Sequence, residues 1–285
     1  MRKPFRTDLA EEAVSARKAA SLDGVEVFEK KEKGFPLYDV RVKTFKASQA
    51  LEKPMGRYLT FSLYDGYKSV KNGFSDAVSV LSEAIRAFLP KEGEILVAGL
   101  GNREVTSDAI GPETLRSIVV TRHLIRSLPD SFGSLRSVSA LAPGVLGVTG
   151  IESGDILEGV FREISPKALV VIDALAAESA SRLLTTVQIT DTGLVPGSGV
   201  GNARAKLTPE ALGVPVIAIG VPTVIYAEAL LREAAGALSS PFGDLIVTPK
   251  EIDGAVKDVS KLIGYSLDLA LFDGMTLSDA AHFLS

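Results

Sequence analysis

One stretch constrains the fold of this chain more than any other: residues 95–112, which read ILVAGLGNREVTSDAIGP. It begins with four apolar residues, as a buried parallel strand requires. The run Gly99-Leu100-Gly101-Asn102 then ends the strand in a tight turn, because glycine adopts backbone angles that other residues avoid. From here to the end of the chain, strand patterns alternate with helical patterns. The sequence therefore predicts an α/β fold, with a mostly parallel sheet and helices on both faces.

Two aspartates follow predicted strands of this sheet. Asp108 comes after the glycine turn, and Asp173 comes directly after the apolar run 168–172. Active sites of open α/β sheets lie at the carboxyl ends of the strands, so neighbouring strands would bring both carboxylates to one crevice. Two close carboxylates share a proton, and such a pair can activate water and protonate a leaving group. The alternative is that both are structural, since Asp is also a favoured helix N-cap and turn residue.

Bulk composition excludes several classes of protein. The chain has 285 residues, enough for one large domain or two small ones. Its net charge of −4 does not suggest a nucleic-acid surface. The absence of cysteine excludes disulfides, thiolate metal sites and cysteine nucleophiles. The basic N-terminus lacks the apolar region of a signal peptide, and no apolar run could span a bilayer, so we expect an intracellular protein.

The first third of the chain is rich in strand patterns. Residues 25–28 and 37–45 alternate apolar and polar side chains around Lys33-Gly34, which predicts a hairpin. A further strand is predicted over 57–64, and the whole region is expected to extend or flank the sheet. Further along, Pro222 is predicted to open a helix at its first position. Other helices are predicted over 9–21, 75–89, 113–127, 153–164 and 249–272, and other strands over 138–141, 184–189, 214–219 and 245–247.

Other catalytic schemes fit the sequence poorly. It contains neither a G-x-S-x-G nucleophile elbow nor an H-E-x-x-H zinc motif. The two histidines, His123 and His282, are interpreted as structural and as near-terminal, respectively. Gly99-Leu100-Gly101 resembles a dinucleotide fingerprint only in part, because Glu104 replaces its third glycine. The glycine-rich loop 197–202 lacks the lysine of a phosphate-binding loop, and it is either a mobile loop over the site or a plain surface turn.

Many segments together resemble one family, the germination proteases of spore-forming bacteria, which degrade small acid-soluble spore proteins. The matching segments cover most of the chain: Arg6-Thr7-Asp8-Leu9-Ala10, Gly56-Arg57-Tyr58, Gly99-Leu100-Gly101-Asn102 with Val105-Thr106 and Asp108-Ala109, Thr121-Arg122-His123-Leu124, Ala142-Pro143-Gly144-Val145, Thr149-Gly150-Ile151-Glu152, Ile172-Asp173-Ala174-Leu175-Ala176-Ala177, residues 196–202 and 217–224, and Val247-Thr248-Pro249-Lys250-Glu251.

The resemblance implies a three-layer, doubly wound, mostly parallel sheet like that of the hydrogenase maturation proteases. It implies an aspartic-type mechanism in which Asp108 and Asp173 are the catalytic pair, without a cofactor or a metal. It further implies a self-processing zymogen, with residues 1–8 as propeptide, cleavage between Asp8 and Leu9, and one catalytic domain over 9–285.

The resemblance also implies a biological setting. The substrates would be small acid-soluble, DNA-binding spore proteins, cut after an acidic residue during germination. The enzyme would be a cytoplasmic homotetramer of the spore core, without direct contact to nucleic acid or membrane. Candidate partners for the substrate carboxylate are Arg103, Arg122 and Arg204, since a guanidinium grips a carboxylate through two hydrogen bonds. Gly197 and Gly199 of the glycine-rich loop are further candidates for substrate binding.

The chain departs from the family pattern at a few positions. Val195 stands where the pattern has His, which argues against a metal ligand there, while Ser107 and Glu178 replace Pro and Arg. The stretch between 224 and 247 is shorter than in many relatives. Three alternatives stay open at this point: a metal-dependent maturation protease of the same fold, a peptidyl-tRNA hydrolase-like enzyme, which shares Gly-Leu-Gly-Asn after a strand, and a non-catalytic binding module.

Overall fold

The computed structural model describes residues 7–63, 72–194, 207–236 and 245–284. Within these ranges, nine strands form one sheet in the order β1-β2-β3-β7-β8-β6-β4-β5, and β9 pairs with β8. The strands are β1 (Val25–Glu32), β2 (Phe35–Val42), β3 (Gly56–Ser62), β4 (Ile95–Gly99), β5 (Val138–Leu141), β6 (Ala168–Ala177), β7 (Thr186–Thr190), β8 (Val216–Tyr226) and β9 (Ile246–Val247). The predicted α/β class is confirmed.

Helices connect and cover these strands. They are α1 (Ala10–Ala16), α2 (Phe45–Leu51), α3 (Gly73–Arg86), α4 (Ile110–Thr114), α5 (Arg122–Ser127), α6 (Pro129–Phe132), α7 (Leu146–Thr149), α8 (Ser153–Ile164), α9 (Pro209–Leu212), α10 (Ala227–Ala235), α11 (Ile252–Leu271) and α12 (Leu277–Phe283). Among the described residues, no helix is long and apolar enough to cross a bilayer.

The parallel half of the sheet is β8-β6-β4-β5. All five residues of β4 are buried, because helices cover it on both sides. Ile95 and Val97 belong to the larger core cluster, which contains the buried faces of α3 and α11. Leu96 and Ala98 point to the opposite face and join a second cluster, to which α8 contributes Leu157. Side chains alternate between faces along a strand, so this division confirms helices on both faces.

The antiparallel half of the sheet is β1-β2-β3-β7, and the predicted strand-rich extension forms three of its four strands. The predicted hairpin joins β1 to β2 at Lys33 and Gly34, which have φ values of 47° and 92°. Two successive positive φ values are what a two-residue hairpin turn needs to match the twist of its strands. β7 then pairs antiparallel with β8 and connects the two halves.

Pro222 does not open a helix. It lies inside β8, which runs on to Tyr226, and α10 begins only at Ala227. Proline has no N–H to donate, and within a sheet it is tolerated next to a bulge. Such a bulge is present: Leu175 of β6 pairs with Pro222, and the next residue pairs with Val224. The prediction that Pro222 begins a helix was therefore wrong. The bulge in β8 that accommodates this proline is not visible in the local sequence.

Candidate active site

The turn after β4 brings Asp108 back to the strand end. The N–H of Leu100 donates to the carbonyl of Ile172 at 2.8 Å, which fixes the turn against β6. Asp108 ends the short 3-10 helix Thr106–Asp108, and the N–H of Asn102 donates to its Oδ2 at 2.7 Å. The N-cap residue of α4 is Ala109, not Asp108, and α4 has no side-chain capping bond. The Asp108 carboxylate therefore faces the turn after β4 instead of capping a helix.

Close backbone packing holds this turn. A Cβ added to Gly99 would lie 2.4 Å from the carbonyl oxygen of Gly111, and one added to Gly111 would lie 2.2 Å from the carbonyl oxygen of Leu100. Such separations are far below van der Waals contact, so only glycine fits at either position. Sequence reasoning identified the need for glycine at the strand end but not the role of Gly111.

Asp173 lies within β6, not after its end. Ile172 is the last residue of β6 that pairs with β4, whereas pairing with β8 continues to Ala177. Asp173 is therefore the first residue beyond the point where β4 stops. Its side chain is half-buried, and its Oδ1 accepts the N–H of Ala174 at 2.9 Å. The strand is longer than the predicted 168–172 because its pairing with β8 continues to Ala177.

Both carboxyl groups have raised pKa values. Burial raises the pKa of Asp173 to about 8, and the negative charges of Asp108 and Asp8 add to this effect. The hydrogen bond from the N–H of Ala174 acts in the opposite direction. Burial also raises the pKa of Asp108, but the hydrogen bond from Asn102 favours its ionised form. Of the two, Asp173 is the carboxyl that holds a proton at neutral pH, whereas the hydrogen bond from Asn102 opposes protonation of Asp108. A pair of this kind can act as general acid and general base together.

Threonines tie β8 to the segment that carries Asp108. The Thr223 hydroxyl donates to the carbonyl of Ser107 at 2.6 Å, and the Thr248 hydroxyl donates to the carbonyl of Thr223 at 2.8 Å. Thr223 is fully buried and is the extra residue of the β8 bulge. These positioning contacts escaped sequence reasoning, since a contact across 116 residues of chain leaves no local pattern.

The N-terminal segment lies beside the same strand. The N–H of Asp8 donates to the carbonyl of Ala176 at 2.9 Å, and Leu9 is fully buried. Leu9 packs in a cluster with Ala177 and Ile225. Pro4 and the nearness of the chain end predict a loose segment around the Asp8–Leu9 bond. That expectation was wrong for residues 7–9, because backbone hydrogen bonds and the burial of Leu9 fix this part of the segment.

The predicted arginines divide into three cases. Arg103 lies in the turn beside Asp108, is exposed, and is 3.5 Å from Glu113. Arg122 pairs with Glu94 at 2.6 Å, and Glu94 immediately precedes β4. Arg122 therefore lies at the amino end of β4, whereas Asp108 lies beyond the carboxyl end, so Arg122 is badly placed to bind a substrate at the two aspartates. The remaining candidates, Arg204, Gly197 and Gly199, lie outside the described residues, as does Val195.

Metal-binding geometry is absent from the part of the chain that the structure describes. There, no three His, Cys, Asp or Glu side chains converge closely enough to hold a metal ion. His123 lies on α5 and His282 on α12.

Comparison with known families decides which proteins this chain is related to. The family model described as germination protease matches residues 6–243. The chain belongs to the germination protease family. It is therefore a protease, and the resemblance found in its sequence motifs is confirmed.

Individual relatives match along most of the chain. A germination protease of Clostridium perfringens is 40% identical, over 98% of this chain and 99% of its own length. One of Caldanaerobacter subterraneus subsp. tengcongensis is also 40% identical, over 98% of both chains. One of Bacillus cereus is 40% identical over 84% of this chain and 68% of its own length.

One solved structure was also found to be similar. A nickel-iron hydrogenase maturation protease of Thermococcus kodakarensis covers 65% of this chain and 98% of its own, with 17% identity and a TM-score of 0.37. This likeness is too weak to bear on the assignment.

Proposed function

We propose that this protease is an endopeptidase that uses Asp108 and Asp173 as an aspartic pair. The observation that carries the proposal is the position of the two carboxyls: Asp108 lies in the turn after β4, and Asp173 is the first residue of β6 beyond the end of β4. Burial and the charge of Asp108 keep Asp173 protonated, while the N–H of Asn102 supports an anionic Asp108. An acid and a base thus lie on either side of the point where β4 ends.

Peptide hydrolysis by this pair follows general acid–base chemistry. Asp108 takes a proton from water as the water oxygen attacks the peptide carbonyl carbon, and Asp173 gives its proton to the carbonyl oxygen. The tetrahedral intermediate then collapses as the proton held by Asp108 passes to the leaving nitrogen. The intermediate returns a hydroxyl proton to Asp173 as the C–N bond breaks. Both carboxyls end in their starting state, and the products are a carboxylic acid and an amine.

The substrates we assign are small acid-soluble spore proteins, cut after an acidic residue during germination. Membership of the germination protease family supports spore proteins as the substrate class. Such proteins are largely unstructured when free, so the site would take an extended strand through main-chain hydrogen bonds. Replacement of the substrate's acidic residue with its amide should then lower kcat/KM strongly.

The proposal extends to the form of the enzyme. Residues 1–8 would be a propeptide, removed by self-cleavage between Asp8 and Leu9, and residues 9–285 the catalytic domain. The enzyme would act as a homotetramer in the cytoplasm of the spore core. Light scattering after size exclusion would measure the oligomer directly, and a monomeric mass at working concentration would contradict that part.

The deciding experiment measures cleavage of an unstructured peptide that contains one acidic residue. Asp108→Asn and Asp173→Asn should each lower kcat/KM by about a thousandfold or more, because each removes one half of the acid–base pair. The double variant should be hardly worse than either single variant, since residues that act as a unit lose activity non-additively. Asp130→Asn, which changes an exposed aspartate on α6, is the matched control.

Other outcomes would identify the alternatives. Activity that disappears with chelator and returns with a divalent cation would indicate a metal-dependent protease of the same fold. An absence of peptide cleavage, together with hydrolysis of peptidyl-tRNA, would indicate the tRNA-linked reaction. Neither activity would leave a non-catalytic binding module. Substantial cleavage by either aspartate variant would remove that residue from the mechanism.

A further inference from the structure

Among the residues that the structure describes, no strand pairs with the β4-facing edge of β6 beyond Ile172. The carbonyl of Ile172 accepts the N–H of Leu100, which places the main-chain groups of Ile172 on the β4 side. Every second residue of a strand directs its N–H and C=O to the same side, so Ala174 and Ala176 also face that side. β4 has already ended there at Gly99. This open edge, defined by Ala174 and Ala176, begins next to Asp173.

The chain's own Asp8 occupies part of this open edge. Its N–H donates to the carbonyl of Ala176 at 2.9 Å, and the N–H of Ala176 donates to its Oδ2 at 2.8 Å. The main-chain N–H and the side-chain carboxylate of Asp8 thus both form hydrogen bonds with Ala176 of β6. A residue with an acidic side chain satisfies both groups of Ala176, whereas an apolar residue would satisfy only the carbonyl.

Two side chains complete the surroundings of Asp8. The amide Nε2 of Gln188 donates to the carbonyl of Asp8 at 3.2 Å. The ammonium group of Lys53 donates to the carbonyl of Thr7 at 2.9 Å, and Lys53 is partly buried. Burial lowers the pKa of Lys53, whereas the negative charge of Asp8 opposes this effect. Residues 7 and 8 therefore lie against the ammonium group of Lys53, the N–H donors of Ala176 and Gln188, and the carbonyl acceptor of Ala176.

We propose that this cradle, formed by Ala176, Gln188 and Lys53, is a subsite that recognises an acidic residue of an extended peptide substrate. The inference rests on the proposed function and deepens it, since it assigns the acidic selectivity to particular residues. Lys53 is the group that would select charge, because it interacts electrostatically with Asp8, while Gln188 would hold the main chain through the Asp8 carbonyl. In the intact chain, Asp8 fills the subsite; removal of residues 1–8 would leave all three cradle residues without these partners.

The position of the cradle on the strand edge next to Asp173 suits the binding of an extended substrate. A peptide that adds to the open edge as a strand forms main-chain hydrogen bonds there, as in other cases of strand addition. Ala174 and Ala176 are two residues apart, about 7 Å along a strand, so a peptide held at Ala176 runs alongside Asp173. An acidic side chain at the cradle would then set the register of the bond that reaches the two aspartates.

The test is a binding measurement that needs no cleavage. The probe is a fluorescent peptide of residues 4–8 with an amidated C-terminus, and its twin carries Asn in place of the aspartate. The receptor is the full-length chain with Asp8→Ala, whose own segment no longer supplies the acidic side chain. We expect the acidic peptide to bind about fivefold or more tightly than its twin, and more tightly to this receptor than to the unchanged chain.

Variants of Lys53 in the same receptor identify the selecting group. Lys53→Met should remove the preference for the acidic peptide, Lys53→Arg should retain it, and Lys46→Met, which changes an exposed lysine on α2, should leave it unchanged. Thermal unfolding of each variant checks that it is folded. Equal binding of the two peptides, or a preference that survives in a folded Lys53→Met chain, would overturn the inference.

Failure of this inference differs visibly from failure of the proposed function. A chain that distinguishes the two peptides but cuts none would keep the cradle and contradict the protease mechanism. A chain that cuts peptides but binds both probes equally would keep the mechanism and contradict the cradle.

Discussion

Gly101 lies directly against the backbone carbonyl of Asp108: a Cβ on Gly101 would come within 2.0 Å of that oxygen. Gly101 also has a φ of +112°, which residues with side chains rarely adopt. Gly101→Ala should therefore displace Asp108 from the turn. We expect kcat/KM for a peptide to fall about a hundredfold, because a misplacement near 1 Å has effects of that size.

Gly147→Ala is the matched control for this change. Gly147 lies on α7, and among the described residues an added Cβ would have nothing within 4 Å apart from its chain neighbours and the backbone of its own helix. The Gly147→Ala chain should cleave the peptide as fast as the unchanged chain. Full activity of a folded Gly101→Ala chain would mean that the position of Asp108 is not critical for cleavage.

The raised pKa of Asp173 makes stability depend on pH. In the folded chain the pKa is about 8, well above the ordinary value for an aspartate. Between these two values the folded state keeps a proton that the unfolded state has lost, so stability decreases as pH rises through this window. From pH 6 to pH 8 this contribution should decrease by up to about 2 kcal/mol, at about 1.4 kcal/mol per pH unit.

Asp173→Asn removes this titration while it keeps the shape of the side chain. The difference in unfolding free energy between the variant and the unchanged chain should therefore shift in favour of the variant from pH 6 to pH 8. Urea unfolding at several pH values measures this difference. A difference that is constant with pH would contradict the assignment of a raised pKa to Asp173.

Asp268 is a second buried carboxyl whose protonation should affect stability. It is fully buried on α11, its Oδ1 accepts the N–H of Val119 at 2.9 Å, and burial raises its pKa to about 7. Its Oδ2 has no hydrogen-bond partner among the described residues. Because the pKa is raised, the stability linked to this proton is present in mild acid and decreases as pH rises through about 7.

Two substitutions separate the roles of Asp268. Asp268→Ala should destabilise the chain by about 1–3 kcal/mol at pH 6, because the buried N–H of Val119 loses its acceptor. Asp268→Asn keeps an acceptor and should have a much smaller effect at pH 6; it should gain relative to the unchanged chain as the pH rises from 6 through about 7, and this gain should level off at pH 8. The measurement is unfolding by denaturant at both pH values. An alanine variant as stable as the asparagine variant at pH 6 would show that the hydrogen bond is unimportant.

Self-cleavage between Asp8 and Leu9 should accelerate as pH falls from neutral to mildly acidic values. The negative charge of Asp8 acts on Asp173, and repulsion among the three carboxylates would oppose cleavage of the Asp8–Leu9 bond. Protonation of a carboxyl weakens this repulsion. Leu9 must also leave its buried position, so we expect slow cleavage. Intact mass and N-terminal sequencing after incubation at several pH values would follow the reaction.

The catalytic variant Asp173→Asn is the control for self-cleavage. A new N-terminus other than Leu9 would contradict the assigned bond. Cleavage that persists in the control would point to a contaminating protease, and faster cleavage at higher pH would contradict the protonation argument.

Local sequence predicted the regular elements well where periodicity and end signals agree. The strand Val138–Leu141 and the helix Ser153–Ile164 have the predicted bounds, since a proline-glycine pair and a clear apolar stripe define them. The predicted helix over 113–127 divides into α4, a 3-10 turn and α5. The break occurs because Thr121 is held by hydrogen bonds to the start of β5, a contact that periodicity cannot reveal.

The candidate site was predictable only in its two aspartates. Both follow strand and turn patterns that are visible in sequence, and both match the family motif. The cradle residues Lys53 and Gln188 gave no signal, because their hydrogen bonds to Thr7 and Asp8 span 46 and 180 residues of chain. Arg122 has a suitable side chain for binding a carboxylate. The sequence does not reveal that it lies at the amino end of β4, where it pairs with Glu94.

The two aspartates sit on backbone of very different rigidity. Asp173 directly follows the segment Ala168–Ile172 of β6, which is paired on both sides and fully buried. Amide hydrogens of such a strand exchange with solvent only when the whole molecule unfolds. Asp108 lies instead on a single 3-10 turn. During turnover, β6 would thus serve as the fixed reference, and any adjustment of the distance between the two carboxyls would come from movement of the Asp108 turn.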